Sequence, residues 1–141
     1  MILYVDTSAL VPLLVSEPRS HVCGELWDRA DRVITARLTY VEAAASLAMA
    51  ERIGRITAEQ SAASRNALDE LWAALDVIEL DHRLMVSAAD VAASQGLRGY
   101  DAVHCAAATE LGGDDVVAAA GDTRLLAAWA DEGITVVDIN A

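Results

Sequence analysis

Short apolar runs alternate along this chain with longer stretches in which apolar residues recur every three or four positions. The short runs are ILYVD (2–6), RVITA (32–36), DVIEL (76–80), DVVAAAG (115–121) and ITVVDI (134–139). None strictly alternates apolar with polar positions, the pattern of strands buried on both faces. Between them lie helical patterns. SALVPLLV (8–15) is broken or bent by Pro12, and RSHVCGELWDRA (19–30) follows it. LTYVEAAASLAMAERIG (38–54) can end at Gly54, and TAEQSAASRNALDELWAAL (57–75) opens on Thr57 as a cap with Glu59 close behind. DHRLMVSAADVAASQG (81–96), YDAVHCAAATELG (100–112) and DTRLLAAWADEG (122–133) complete the set. Strands separated by helices predict a parallel sheet covered on both sides, a three-layer α/β fold. No linker, repeat or shift of composition divides the 141 residues, so one domain over 1–141 is expected.

In open parallel sheets, ligands bind outside the carboxyl ends of the strands. Acids stand at those positions here. Asp6 ends the first strand, Asp122 follows the fourth, and Asp101 opens a helix after a glycine-containing turn. Each of these alone could be a helix N-cap, where a carboxylate accepts a free backbone N–H and meets the positive end of the helix dipole. Glu42 could not. It lies inside LTYVEAAASLAMA as the only charge between Arg37 and Glu51, with Leu38, Thr39, Ala45 and Ser46 one turn away. A buried carboxylate there costs several kcal/mol unless something compensates it; the plain alternative is a Glu that faces solvent. Four acids gathered at one sheet edge would repel each other, and a hard divalent cation would offset that repulsion. One or two such ions can activate water, orient a phosphodiester and stabilise a leaving oxygen.

Composition narrows the chemistry. The chain is 55% hydrophobic, largely through Ala, and has no Phe, so a tight core with closely packed helices is expected. No apolar run approaches the roughly 20 residues of a membrane span, and no basic-then-apolar leader opens the chain, so a cytoplasmic protein is expected. Cys23 and Cys105 lack metal-ligand spacing and read as small buried hydrophobes. Net charge is −12, which argues against binding nucleic acid by charge alone and fits a cation or a basic partner. All ten basic residues are Arg. A receiver domain is excluded by the missing Lys, a phosphoaspartyl phosphatase by Ser8 where a second Asp is needed, and a D-x-S-x-S adhesion site by Leu10. Neither phosphate-cradling glycine motif is present.

Four stretches in order resemble one family. YVDTSALV resembles the opening strand and acid of PIN-domain ribonucleases, LTYVEAAASL their helix-borne Glu, GYDAVHCAAATELG their D-A-x-H-x-A-x-A helix, and VVAAAGDTRLLAAWADEGITVV their closing stretch. The chain is most similar to the small VapC-type toxins of toxin–antitoxin pairs. That resemblance implies a five-stranded parallel sheet of order 3-2-1-4-5 and endonucleolytic cleavage of RNA with Mg²⁺ or Mn²⁺. It implies Asp6, Glu42, Asp101 and Asp122 as catalytic and metal-binding residues, a VapB-type antitoxin as partner, and a homodimer. Ala120 replaces a hydroxyl residue common two positions before the last Asp, and Thr123 and Arg124 stand where relatives carry an acid or amide, which points to one well-held ion. Pro12 stands where many relatives have Lys.

Further residues carry two readings each. His104, one turn after Asp101, suits a general base or ligand, or a core histidine. Tyr100 and Trp129 suit base stacking or core packing. Arg37, Arg98 and Arg124 suit phosphate contacts or surface solvation. The competing function is a catalytically inactive PIN-like interaction module, against which four intact acids argue.

Overall fold

A computed structural model describes residues 1–141. Five strands, β1 (Ile2–Val5), β2 (Arg32–Ala36), β3 (Asp76–Ile78), β4 (Val116–Ala120) and β5 (Thr135–Asp138), form one sheet in the order β3-β2-β1-β4-β5. Every pairing is parallel. β1 is central: Ile2 pairs with Arg32 on one side and with Val116 on the other. The helices are α1 (Thr7–Leu10), α2 (Ser20–Arg29), α3 (Leu38–Arg52), α4 (Ala58–Ala73), α5 (His82–Gln95), α6 (Gly99–Leu111) and α7 (Thr123–Asp131). The chain therefore steps from β1 outward to β3, then returns through α5 and α6 to lay β4 on the other flank of β1. That reversal of strand order opens a crevice at the carboxyl ends of β1 and β4.

The absence of alternation along the strands has its expected cause. Leu3 and Val5 point into one core layer with Ala9, Leu10, Cys23, Ala43 and Leu68. Tyr4, between them, points into the other with Leu84, Ala106, Leu125 and Trp129. Helix α6 is buried without interruption from Ala102 to Ala108, as a helix sandwiched between the sheet and its neighbours must be. Its run of alanines lets it lie close to the sheet, where Ala118 and Ala120 are fully covered. Both cysteines are buried and free.

Two local details depart from the sequence pattern. Pro12 does not bend a continuous helix: α1 stops at Leu10 and a single 3₁₀ turn, Val11–Leu13, follows. Thr57 does cap α4, but its capping-box partner is Gln60 rather than Glu59. Gln60 occupies the third helical position, the one whose side chain can reach back to the cap N–H. No helix is long and apolar enough to cross a membrane.

Candidate active site

A cleft of about 680 Å³ opens at the carboxyl ends of β1 and β4. Asp6, Glu42, Asp101 and Asp122 all line it, each delivered by a different element. Asp6 joins β1 to α1 and is 6% exposed. Its Oδ1 accepts from the Ala9 N–H at 3.1 Å and from the Ser8 hydroxyl at 2.6 Å. The same hydroxyl accepts from the Gly121 N–H at 2.8 Å, tying the start of α1 to the end of β4. Burial pushes the Asp6 carboxyl up to about 6, helped by the charge of Glu42 and opposed by His104, Ser8 and the Ala9 N–H.

Asp122 caps α7, its Oδ1 accepting from the N–H groups of Arg124 at 2.9 Å and Leu125 at 3.0 Å. Asp101 caps nothing. Helix α6 begins two residues earlier, at Gly99, with Arg98 in the cap position, so Asp101 lies in the first turn. Partial burial raises its pKa, as do the charges of Asp122 and Glu42, against smaller lowering by His104 and Arg98.

Glu42 projects from α3, half-buried. Its Oε1 accepts from the Thr7 hydroxyl at 2.7 Å and lies 2.8 Å from His104 Nε2. Burial alone would raise its pKa, but His104 and Thr7 outweigh burial and hold the carboxyl below its usual range. His104 is 2% exposed and reaches the Tyr4 hydroxyl through Nδ1 at 2.7 Å. His104 is a core residue, and it also lines the acidic cleft from below. Trp129 is wholly core, its indole N–H donating to the His104 carbonyl at 3.3 Å. Tyr100 is 47% exposed on the wall of the cleft.

Of the two readings of Arg37, Arg98 and Arg124, their placement fits the surface one. Arg37 is paired with Glu79, and neither it nor Arg98 nor Arg124 lines the cleft. Arg98 feels the charge of Asp101, two residues inside α6. The two arginines in the cleft are Arg19 and Arg55. Arg19 Nε donates to Glu17 Oε1 at 2.6 Å. Its Nη1 lies 3.1 Å from where a Cβ on Gly121 would stand, so only glycine leaves it room there. Arg55 follows Gly54, whose φ of +77° lets the chain turn back off the end of α3. It lies beyond the end of α3 and makes no ion pair. Sequence spacing held no sign of either contact, because both depend on how helices stack against the sheet edge.

Asp6, Glu42 and Asp122 share one feature. Each uses a single oxygen for its hydrogen bonds and leaves the other unbonded. No buried side-chain polar atom lacks a partner, so those second oxygens are open to the cleft. No three His, Cys, Asp or Glu side chains stand close enough to hold an ion directly among them. The donors are all carboxylate oxygens in mutual repulsion, a set that fits a hard cation keeping several of its waters and taking one or two carboxylates.

A five-stranded 3-2-1-4-5 sheet with acids at the crossover between β1 and β4 defines a class of protein rather than one activity. The description "PIN domain" matches residues 3–132. The chain is 37% identical over 124 residues to Ribonuclease VapC45 of Mycobacterium tuberculosis, spanning 88% of this chain and 86% of that protein. PAE2754 from Pyrobaculum aerophilum superposes with a TM-score of 0.73 at 26% identity, over 99% of this chain and 90% of the other. VapBC-1 from nontypeable Haemophilus influenzae superposes with a TM-score of 0.66 at 19% identity, over the whole of both chains. The chain belongs to the PIN-domain family, with the VapC ribonucleases among its relatives.

Proposed function

We propose that this protein is a metal-dependent endoribonuclease and the toxin of a VapBC-type pair. The observation that carries the reading is the set of four carboxylates in one cleft, three of them held by one oxygen with the other left free. Mg²⁺ or Mn²⁺ bound there would supply positive charge to the phosphodiester and acidify a water. The chain supplies the rest. Asp6 is fixed by Ser8 and the Ala9 N–H, and Glu42 by Thr7 and His104, so neither has to reorganise to act as a ligand. Asp101, with its raised pKa, is suited to take a proton from the attacking water at a carboxylate oxygen. Water attacks phosphorus, the P–O3′ bond breaks, and the products carry a 5′-phosphate and a 3′-hydroxyl. No protein nucleophile is required.

A nuclease of this kind needs restraint in its own cell. The acidic cleft suits an arginine side chain from a basic segment of an antitoxin, and the net charge of −12 favours such a partner at long range. The name of the structurally similar VapBC-1 is in keeping with that pairing. Pairing of two copies of the chain is also part of this reading.

The decisive test is cleavage of single-stranded cellular RNA by the purified, partner-free protein with Mn²⁺ or Mg²⁺, beside Asp6→Asn. The substitution should lower the rate by more than about 100-fold, the upper end of what residues merely supporting a ligand cost. Equal behaviour of the two proteins would end the nuclease reading and leave an interaction module in its place.

A further inference from the structure

Beneath the cleft runs a chain of hydrogen bonds that the hydrolytic reading does not itself require. The Tyr4 hydroxyl and His104 Nδ1 are 2.7 Å apart, and His104 Nε2 and Glu42 Oε1 are 2.8 Å apart. Tyr4 is 0% and His104 2% exposed. From above, the Thr7 hydroxyl donates to the same Oε1 at 2.7 Å. An ionised carboxylate only accepts, so His104 must carry its hydrogen on Nε2. The other ring nitrogen, Nδ1, is met by the Tyr4 hydroxyl, which donates to it or accepts from it according to the ring's protonation. The tyrosine thereby leaves Nε2 as the nitrogen that holds the glutamate. Trp129 fixes the ring's backbone from behind, through its indole N–H on the His104 carbonyl.

His104 and Thr7 converge on one oxygen of Glu42, and Tyr4 backs His104. We propose that Tyr4, His104 and Thr7 form a brace that holds Glu42 by Oε1 and presents Oε2 to a divalent cation, making His104 a positioning residue for the metal. The inference rests on the proposed function for the presence of the cation, and on this structure for the brace. A ligand side chain held by an outer hydrogen bond typically loses about 10–100-fold in metal affinity when that bond is removed.

The test is Mn²⁺ binding, read by electron paramagnetic resonance on the full chain without RNA, with circular dichroism melts alongside. His104→Gln keeps an N–H near the position of Nε2, whereas His104→Asn ends its amide near Nδ1 and cannot reach Glu42. The Asn variant should bind Mn²⁺ about tenfold or more weakly than wild type, and the Gln variant should recover most of that loss. In a Glu42→Gln background, His104→Asn should cost no further affinity. Thr7→Val, outside the core, should follow the same rule with a smaller loss, and it carries the test if His104→Asn does not fold. Unchanged Mn²⁺ affinity in both His104→Asn and Thr7→Val would overturn the brace. So would equal losses in the wild-type and Glu42→Gln backgrounds, or a Glu42→Gln protein that binds Mn²⁺ as wild type does. If the coupling appears but no RNA is cut, the nuclease reading fails and the brace stands. If RNA is cut and the coupling is absent, the reverse holds.

Discussion

Asp6 and Glu42 stand on one wall of the cleft, Asp101 and Asp122 on the other, and the two walls are built differently. Asp6 is buried and Glu42 half-buried, and each is gripped by side-chain donors: Ser8 on Asp6, Thr7 and His104 on Glu42. On the opposite wall Asp122 is exposed and held only as a helix cap, and Asp101 feels its neighbours mainly as charge. The first wall is set before any ligand arrives. The second is free to adjust to what enters. Identical carboxylates thus divide into a fixed pair and a responsive pair, according to whether the surroundings supply donors.

The largest effect should come from Asp6 itself. Its folded pKa, about 6, lies above the ordinary 3.8, so ionising it costs the folded state. That cost is absent below about pH 4, grows as pH rises to about 6, and then stays constant at on the order of 3 kcal/mol. In chelator, Asp6→Asn should therefore melt above wild type at pH 7.5, and the gap should close by pH 4. Mn²⁺ must displace that proton, so its affinity should fall by about tenfold per pH unit below about 6. A flat affinity between pH 5 and 7 would remove Asp6 from the fixed wall.

Ser8→Ala should come next. It takes one donor from Asp6 and leaves the Gly121 N–H without a partner, a loss of about 1–3 kcal/mol seen in urea melts. Asp101→Asn tests the responsive wall and should act in the opposite direction. Without metal it removes repulsion by Asp122 and Glu42 and should raise Tm by about 2–4 °C; with millimolar Mn²⁺ the order should narrow or reverse. Were Asp101→Asn silent in chelator and in metal, the two walls would not differ as described. The smallest effect belongs to the rim. In an Asp6→Asn protein, Arg55→Ala should reduce the slope of log affinity for single-stranded RNA against log salt by about 0.7, and Arg37→Ala should not.

Much of this arrangement was legible beforehand, for definite reasons. Strand periodicity exposed the two-sided sheet, because Leu3, Tyr4 and Val5 are all buried. Asp6, Asp101 and Asp122 stood out by their places at strand ends and a helix start, Glu42 by its apolar helix, and the family resemblance grouped the four. Glu42 is the instructive case: a carboxylate isolated inside an apolar helix needs compensation, and a cation outside the chain was sought for it. Half of that compensation lay within the chain, 62 positions away at His104, where no sequence spacing could reveal it. Asp101 was expected at the opening of helix α6, which in fact starts at Gly99, a residue that signals a turn as readily as a first helical position. Arg37, Arg98 and Arg124 lie outside the cleft, in keeping with the surface reading, and spacing could not decide it because exposed side chains are placed by tertiary packing alone.

The central place of β1 has a consequence for the order in which the protein comes into being. Ile2 pairs with Val116, and the Gly121 N–H closes on Ser8. The ribosome must therefore deliver the chain through β4 and Gly121 before the first strand gains its second neighbour. Until then Asp101 and Asp122 have no sheet edge to stand on, and the acids cannot meet. Under the proposed function, a nascent chain gains its cleft only after Asp122 has emerged, and the interval for capture by an antitoxin opens there.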